Sequence, residues 1–330
     1  MKFKVKIKFD SEGNRLYVNK PGIFLLASTG ILLLLALGIW ILWQTNTLKV
    51  FPPGDENRPL GVAPAANGSP DQAVFDELKK NYANKFTIIF FYDGFQDQNE
   101  ALGRIDVLKA ALFSVEPFKS MQNSIAFKIF TTQGQACQVE GEKLVCDQRM
   151  LEGLGRLGIE HFKTVVISPL AFHSGSDLAR GKNSLITIST DKGKLKDADY
   201  KRWLGVMFTQ ELGHSLGLRY EYFQAKASQY KGVDIAGKPN CADSENTAKE
   251  WWGKNGVYLK GCAGNDSYLY PEANTLMSDF PKMESYGAIS EGYLDGAISC
   301  FYAGKDTFSS AGEEKSCGEF KKEYSRFWTE

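Results

Sequence analysis

Apolar residues form two kinds of pattern along this chain: short continuous runs and segments with helical spacing. Continuous apolar runs bounded by turn residues are typical of strands that are buried on both faces. Between the runs lie helical patterns, of which the clearest covers residues 97–114. This alternation predicts an α+β fold in which a mixed sheet is backed by helices. The runs that predict strands are residues 86–92, 125–131, 162–168 and 185–190.

Weaker patterns predict further helices. A serine followed by proline can cap a helix at residue 69, which then extends to about residue 79 or 84. Residues 150–158 are predicted to form a short helix, and residues 290–302 return to helical spacing. Residues 240–262 are rich in aromatic side chains without a regular period, so we expect them to be irregular. The chain then ends in a charged tail.

One apolar run is much longer than the others. Residues 23–43 contain no charged side chain and are long enough to cross a bilayer as a helix. Six basic and two acidic residues precede this run, so the positive-inside rule places the amino terminus in the cytoplasm. A cleaved signal peptide is the alternative, but its apolar core is usually shorter, and no small-residue cleavage site follows the run.

These patterns predict four parts of the chain. Residues 44–70, the predicted linker, are rich in proline, glycine, asparagine and alanine, a composition typical of flexible tethers. The ectodomain is slightly acidic, which gives no electrostatic case for binding nucleic acid. The parts are a cytoplasmic basic segment at 1–22, a transmembrane anchor at 23–43, a linker at 44–70 and an ectodomain at 71–330.

All six cysteines follow the predicted anchor. An even number of cysteines confined to the exported side indicates a compartment in which disulfides form. No C-x-x-C pair is present, so we do not expect a cysteine zinc site. The sequence allows several pairings, and short loops favour Cys137–Cys146, Cys241–Cys262 and Cys300–Cys317.

The candidate chemistry lies in residues 203–222, WLGVMFTQELGHSLGLRYEY. Zinc peptidases with an H-E-x-x-H helix bind the metal through two histidines four residues apart, and the glutamate polarises the attacking water. Glu211 and His214 match this motif, whereas Gln210 occupies the place of the first histidine. By itself this short string also fits a buried amphipathic helix with a hydrogen-bonded histidine.

The spacing of residues places the apolar side chains and the candidate site residues on different faces of this helix. Val206, Gln210 and His214 lie on one stripe, and a stripe of leucine and phenylalanine lies well away from it. The apolar stripe can therefore pack on a sheet while Gln210 and His214 face a cleft. Gly217 stands where such motifs end the helix and turn the chain back toward the metal.

Four segments within residues 86–280 resemble the metzincin metallopeptidases, and within them the IgA-peptidase-like family of secreted bacterial enzymes. QELGHSLG is similar to that family's H-E-x-G-H-S-F-G, and the methionine of NTLMS, Met277, resembles the Met-turn methionine that lies beneath the metal. The segments are FFYDGF at 90–95 with EPFKS at 116–120, QELGHSLG at 210–217, the tryptophan, glycine-cysteine and tyrosine-proline stretch at 252–271, and NTLMS at 274–278.

The resemblance implies a zinc site whose third ligand follows the glycine turn. Glu221, eleven residues after Gln210, best matches the acidic ligand of the family, although LRYEY is one residue short of the family's stretch. Tyr220 stands where other metzincins have histidine and is the reserve third ligand. An amide oxygen such as that of Gln210 is a poorer zinc donor than imidazole. The gametolysin family of metzincins nevertheless includes members with Q-E-x-x-H.

The leading hypothesis is therefore a membrane-anchored, outward-facing zinc metallopeptidase, of bacterial origin, that hydrolyses peptide bonds in a protein or peptide substrate. His214, Glu221 and Gln210 hold zinc in this hypothesis, and Glu211 takes the proton of the attacking water. A second hypothesis is an inactive pseudo-peptidase that binds a peptide or glycan at the surface. A third is a structural surface protein. Tyr286 is a candidate to steady an oxyanion, with packing as the favoured alternative.

Overall fold

The computed structural model divides the chain into two units, Met1–Asp55 and Glu56–Glu330. In the first unit, strand β1 (Lys8–Phe9) pairs antiparallel with β2 (Arg15–Leu16). The predicted anchor at 23–43 lies outside the described residues, and within them no helix is long and apolar enough to cross a membrane. The structure describes residues 8–9, 15–16, 84–131, 137–146, 162–176, 185–219, 221, 239–253, 256–278, 285–310 and 313–324.

The second unit contains strands and helices in alternation. Its strands are β3 (Phe86–Tyr92), β4 (Ile125–Thr131), β5 (Cys137–Glu140), β6 (Lys143–Cys146), β7 (Phe162–Ser168), β8 (Gly175–Ser176), β9 (Leu185–Ser189), β10 (Leu259–Lys260), β11 (Leu269–Tyr270), β12 (Thr307–Ser310) and β13 (Glu313–Ser316). Its α-helices are α1 (Gln98–Leu112), α2 (Asp197–Ser215), α3 (Glu245–Trp252), α4 (Ala288–Gly296) and α5 (Cys317–Tyr324). Single 3₁₀ turns lie at Gln122–Ser124 and Cys262–Gly264, and a π-helical segment, Ala297–Tyr302, continues α4.

The core of the unit is a five-stranded sheet in the order β4-β3-β7-β9-β8. All neighbours are parallel except the edge strand β8, which runs antiparallel to β9. Every residue of β3 is buried, as expected for a central strand that is covered on both faces. The predicted mixed sheet with helices is thus confirmed.

The two faces of the sheet are covered by different elements. Ile88 and Phe90 belong to the larger core, which contains the apolar residues of α1 and α2. Ile89 and Phe91 face the opposite side, where Leu144 of the β5–β6 hairpin packs against them. Alternate side chains of one strand therefore serve two separate cores.

Helices α1 and α2 touch at a glycine. A Cβ atom on Gly205 would lie 2.5 Å from the Cβ of Ala111, closer than two side chains can approach. The small residues let the helix backbones come together. This contact fixes α2, which carries the candidate motif, against the helix that connects β3 to β4.

Several sequence predictions meet the structure directly. The strands predicted at 86–92, 125–131 and 162–168 match β3, β4 and β7 residue for residue. The helix predicted at 97–114 is α1, with Asp97 as its cap accepting from the Asn99 amide. The helices predicted from residue 69 and at 150–158 lie outside the described residues.

The prediction that residues 240–262 are irregular was wrong. Residues 240–262 contain helix α3, because Ser244 caps it and its few apolar residues fall on one face, with Ala248 and Trp252 buried. The tail also contains the β12–β13 hairpin and α5, whose Phe320 packs into the main core.

The structure confirms the three short-loop disulfides. Cys137–Cys146 joins the two strands of the β5–β6 hairpin. Cys241–Cys262 joins the residues on either side of α3, and Cys300–Cys317 joins the π-helical segment to α5. No cysteine of the chain is left free.

Candidate functional site

The helix α2 ends in a glycine turn beside the candidate histidine. The Leu218 amide donates to Gly213 O at 3.0 Å, and the Gly217 amide donates to His214 O at 2.9 Å. These two bonds form the Schellman arrangement, which satisfies the last carbonyls of a helix. The turn predicted from the position of Gly217 is therefore present.

A larger residue at position 217 would strain the backbone and crowd Tyr293. Its φ of 106° lies in the region that favours glycine, and a Cβ there would lie 2.9 Å from the hydroxyl oxygen of Tyr293. That hydroxyl donates to Leu216 O at 2.8 Å. A side chain from α4 thus holds the last turn of α2.

A second glycine lets the NTLMS segment approach the helix. A Cβ on Gly213 would lie 3.1 Å from the sulfur of Met277 and 2.7 Å from the ring of Tyr286. Tyr286 is fully buried, and its hydroxyl donates to Thr209 O. Met277 therefore packs against the turn of α2 between Glu211 and His214. Tyr286 packs against the same turn, which is the alternative favoured over an oxyanion role.

Gln210 and Glu211 are both nearly buried, with 5% and 6% of their surfaces exposed. The Gln210 side-chain amide nitrogen donates to Leu276 O at 3.1 Å, which connects α2 to the residue before Met277. Because this bond uses the nitrogen, the amide oxygen is the atom of Gln210 that can act as an electron-pair donor.

His214 is buried, and a backbone carbonyl sets its tautomer. Its Nδ1 lies 3.0 Å from Leu218 O, and since a carbonyl only accepts, Nδ1 carries the proton. The electron pair of the neutral ring then lies on Nε2. Burial lowers the pKa of His214 to about 3, with a smaller lowering from Arg219 and an opposing contribution from the Leu218 carbonyl. The ring is therefore neutral near pH 7, as a metal ligand must be.

Glu221 is buried and is held by two other segments of the chain, at Asn240 and at Thr275–Met277. Its amide donates to Met277 O at 2.8 Å, and its carboxylate accepts from the Asn240 amide at 2.8 Å and from the Thr275 hydroxyl. Burial raises the pKa of Glu221 to about 8, while the bonds from Thr275 and Asn240 act in the opposite direction. The bonds from Asn240 and Thr275 hold the carboxyl group in one orientation, and its raised pKa keeps it mostly protonated at pH 7 unless a bound cation displaces the proton.

Sequence reasoning did not identify the residues that hold Glu221. Thr275 stood within the NTLMS segment but had no role assigned, and Asn240 stood in a stretch predicted to be irregular. Both contacts join residues far apart in the chain, 54 and 19 positions, so no local period marks them. The only available signal was the resemblance around Met277.

A buried lysine at the end of α2 was also missed. Lys163 of β7 is fully buried, and its ammonium donates to Ser215 O at 2.7 Å. It also lies over the ring of Tyr302 at 5.7 Å. A cation at this end complements the negative pole of the helix. The signal in the sequence was a charged residue inside an apolar strand, because a buried charge requires partners.

His214, Glu221 and Gln210 carry donor atoms of the kinds that zinc accepts. His214 offers an imidazole nitrogen whose other nitrogen is oriented by a carbonyl, which is the usual support for a metal-binding histidine. Glu221 offers a carboxylate and Gln210 an amide oxygen. Zinc accepts nitrogen and oxygen donors, and the amide is the weakest of the three.

The ligand assignment stays a prediction. Within the part of the chain that the structure describes, no three His, Cys, Asp or Glu side chains form a group that could hold a metal ion. The predicted set has only two such residues, His214 and Glu221, and takes its third donor from Gln210. Tyr220, the reserve ligand, lies outside the described residues.

No protein-family model and no curated protein matches the chain. Among solved structures it is similar to archaemetzincin from Methanopyrus kandleri, with 12% identity and a TM-score of 0.27, over 42% of this chain and 76% of that one. It is also similar to metalloproteinase-II from Bacteroides fragilis, with 10% identity and a TM-score of 0.27, over 42% of this chain and 44% of that one. At this level of structural agreement, neither protein informs the function of this chain.

Proposed function

We propose that this chain is a zinc-dependent hydrolase of peptide bonds. One observation carries the proposal: two predicted donors that lie eleven residues apart in the sequence bind the same short turn. Gln210 donates to Leu276 O, and the Glu221 amide donates to Met277 O. The turn packs against α2 at Gly213, directly before His214. These contacts, which join the motif helix, the glycine turn and the NTLMS segment, support the proposal.

The roles follow from the chemistry of each side chain. In this proposal His214, Gln210 and Glu221 would hold zinc, and the ion would supply Lewis-acid chemistry for activating water and polarising the peptide carbonyl. Glu211, next to Gln210 on the helix, accepts the proton of the attacking water on its carboxylate. The substrate is a protein or a peptide.

The proposed location rests on the sequence. The uncharged run at 23–43 and the basic residues before it favour a single-pass anchor with the catalytic unit on the outer face of a bacterial membrane. The three disulfides support an oxidising compartment. Deleting residues 1–43 is expected to move the protein from the membrane fraction to the soluble fraction, whereas retention at the membrane would contradict the anchor.

A second candidate function is an inactive relative that binds a peptide or glycan. The observation that favours it is the 3.1 Å bond between the Gln210 amide nitrogen and Leu276 O. The bond joins the Gln210 side chain to the backbone of the NTLMS segment and needs no metal. The side chain therefore has a structural role whether or not it binds zinc. A protein that had lost zinc could keep Gln210 for this reason.

Zinc content and hydrolysis of the full-length protein in detergent distinguish the two candidates. We expect about one zinc ion per chain and peptide hydrolysis in the parent protein. Glu211→Gln is expected to keep the zinc and lower kcat at least about 100-fold, because it removes the base but no ligand. Hydrolysis that survives Glu211→Gln would contradict the proposed mechanism.

The matched pair of variants is Gln210→His and Gln138→His. Gln210→His restores an imidazole at the first ligand position and should tighten zinc binding. Gln138→His places the same side chain on the exposed strand β5 and should leave zinc binding unchanged. A parent without zinc, together with a Gln210→His variant that binds it, would contradict the zinc hydrolase and favour the second candidate.

A further inference from the structure

The side chain of Asn240 joins two segments that meet at Glu221. Its Oδ1 accepts from the Arg219 amide, and its Nδ2 donates to Arg219 O and to Glu221 Oε1, each at 2.8 Å. Asn240 thus pairs with both main-chain groups of Arg219 as a neighbouring strand would. Both of its N–H groups are used, one on the backbone and one on the carboxylate.

The backbone of Asn240 is itself held on both sides. The indole nitrogen of Trp252 in α3 donates to Pro239 O at 3.0 Å. Cys241, the next residue, is bonded to Cys262, and the sulfur of Cys262 lies 3.4 Å from Asn240 O. A fully buried side chain on so fixed a backbone has little freedom to move.

We propose that Asn240 is the positioning residue for Glu221: it sets the direction of the carboxylate that serves as the third metal ligand. The assignment rests on the proposed function. An amide suits this role because it accepts from one backbone group while donating to another and to the carboxylate. Residues that support a ligand in this way typically change metal affinity about 10–100-fold when they are replaced.

The sharpest test is Asn240→Asp in the full-length protein. Aspartate keeps the oxygen that accepts from the Arg219 amide but loses both donors, so Glu221 loses the bond from residue 240, keeps the bond from Thr275, and gains a repelling neighbour. We expect the zinc dissociation constant to rise about 10–100-fold. In a Glu221→Gln background, where the aimed carboxylate is absent, the same substitution should change zinc affinity little. An equal loss in both backgrounds would show a purely structural role and overturn the proposal.

A measurement without metal separates this proposal from the proposed function. If the parent binds no zinc, the proposed function fails, and the coupling between Asn240→Asp and Glu221→Gln is then read from denaturant unfolding of the metal-free protein. Residues in direct contact should show a coupling of about 2- to 100-fold in the unfolding equilibrium constant. Additive effects would overturn the positioning role, and coupled effects would support it even in a protein that holds no zinc.

The exchange of the Arg219 amide provides the control for folding. Because aspartate still accepts from this amide, its hydrogen exchange should stay slow in Asn240→Asp and become fast in Asn240→Ala. Fast exchange in Asn240→Asp would mean that the segment has unfolded; the loss of zinc affinity would then be a folding effect and would count against the proposal.

Discussion

The central sheet and the segment after Gly217 are stabilised in different ways. The sheet pairs backbone with backbone, and the residues that fill its two faces are mainly apolar. The described part of the later segment contains short two-stranded pairs, β10–β11 and β12–β13, and no larger sheet. Its buried residues include a charged or polar set that is bonded through side chains, namely Arg219, Glu221, Asn240 and Thr275.

The two regions differ in what they contribute: the sheet stabilises the fold, and the polar set fixes the position of one carboxyl group. Apolar burial is strong but not directional, so it holds the sheet together without fixing any one polar atom. Buried hydrogen bonds add little net stability, but a bond left unmade is costly, so they fix the positions of their members. The sheet therefore supplies the scaffold, and the polar set aims Glu221.

Phe90→Ala should have the largest effect on stability. Phe90 is fully buried, and its ring centre lies 5.8 Å from that of Phe208 in α2. Removing the ring is expected to lower the free energy of unfolding by about 3–5 kcal/mol, as measured with denaturant. Zinc affinity of the folded fraction should change little. A large loss of zinc affinity would show that the sheet also positions the ligands.

Thr275→Val should give the opposite pattern. It removes the hydroxyl that donates to Glu221 and accepts from the Met277 amide, while the volume stays nearly the same. We expect a loss of about 1–3 kcal/mol in unfolding free energy. Zinc affinity, measured by competition with a chelator, should fall about 10–100-fold. Unchanged affinity would mean that Glu221 is not a ligand.

A pair of glycine substitutions should give the smallest effects, with opposite signs. Gly103→Ala in α1 meets nothing within 4 Å, so it should raise the unfolding free energy by about 0.5–1 kcal/mol. Gly213→Ala would press on Met277 and Tyr286, and it should lower that free energy by about 0.5–2 kcal/mol. Thermal unfolding measures both. A stabilising Gly213→Ala would mean that Met277 of the NTLMS segment does not pack tightly against α2.

The sheet could be predicted because its signal is local. A strand such as residues 86–92 is buried on both faces, so its sequence is a continuous apolar run with turn residues on either side. Helix α3 carries few apolar residues and was therefore overlooked. Its local signs were the cap, Ser244, and the spacing of its few apolar residues on one face.

The candidate site could be predicted only in part. Gly217 and Met277 were found through a motif and a resemblance, and the structure places both at α2. The support for Glu221 depends on Asn240 and Thr275, which approach it through the fold rather than along the chain. Polar contacts between distant residues leave no periodic pattern, so a single sequence does not reveal them.

The bond from Tyr293 to the end of α2 has a consequence for synthesis. Tyr293 follows Leu216 by 77 residues, whereas all strands of the central sheet precede α2. A growing polypeptide therefore contains the complete sheet before the ribosome adds the tyrosine that secures the motif. Domains tend to fold as they emerge, from the amino terminus onward. A chain that ended before Tyr293 would keep α2 packed on α1 and the sheet but would lack the bond that holds its last turn, so we expect full activity only after residue 293 has been added.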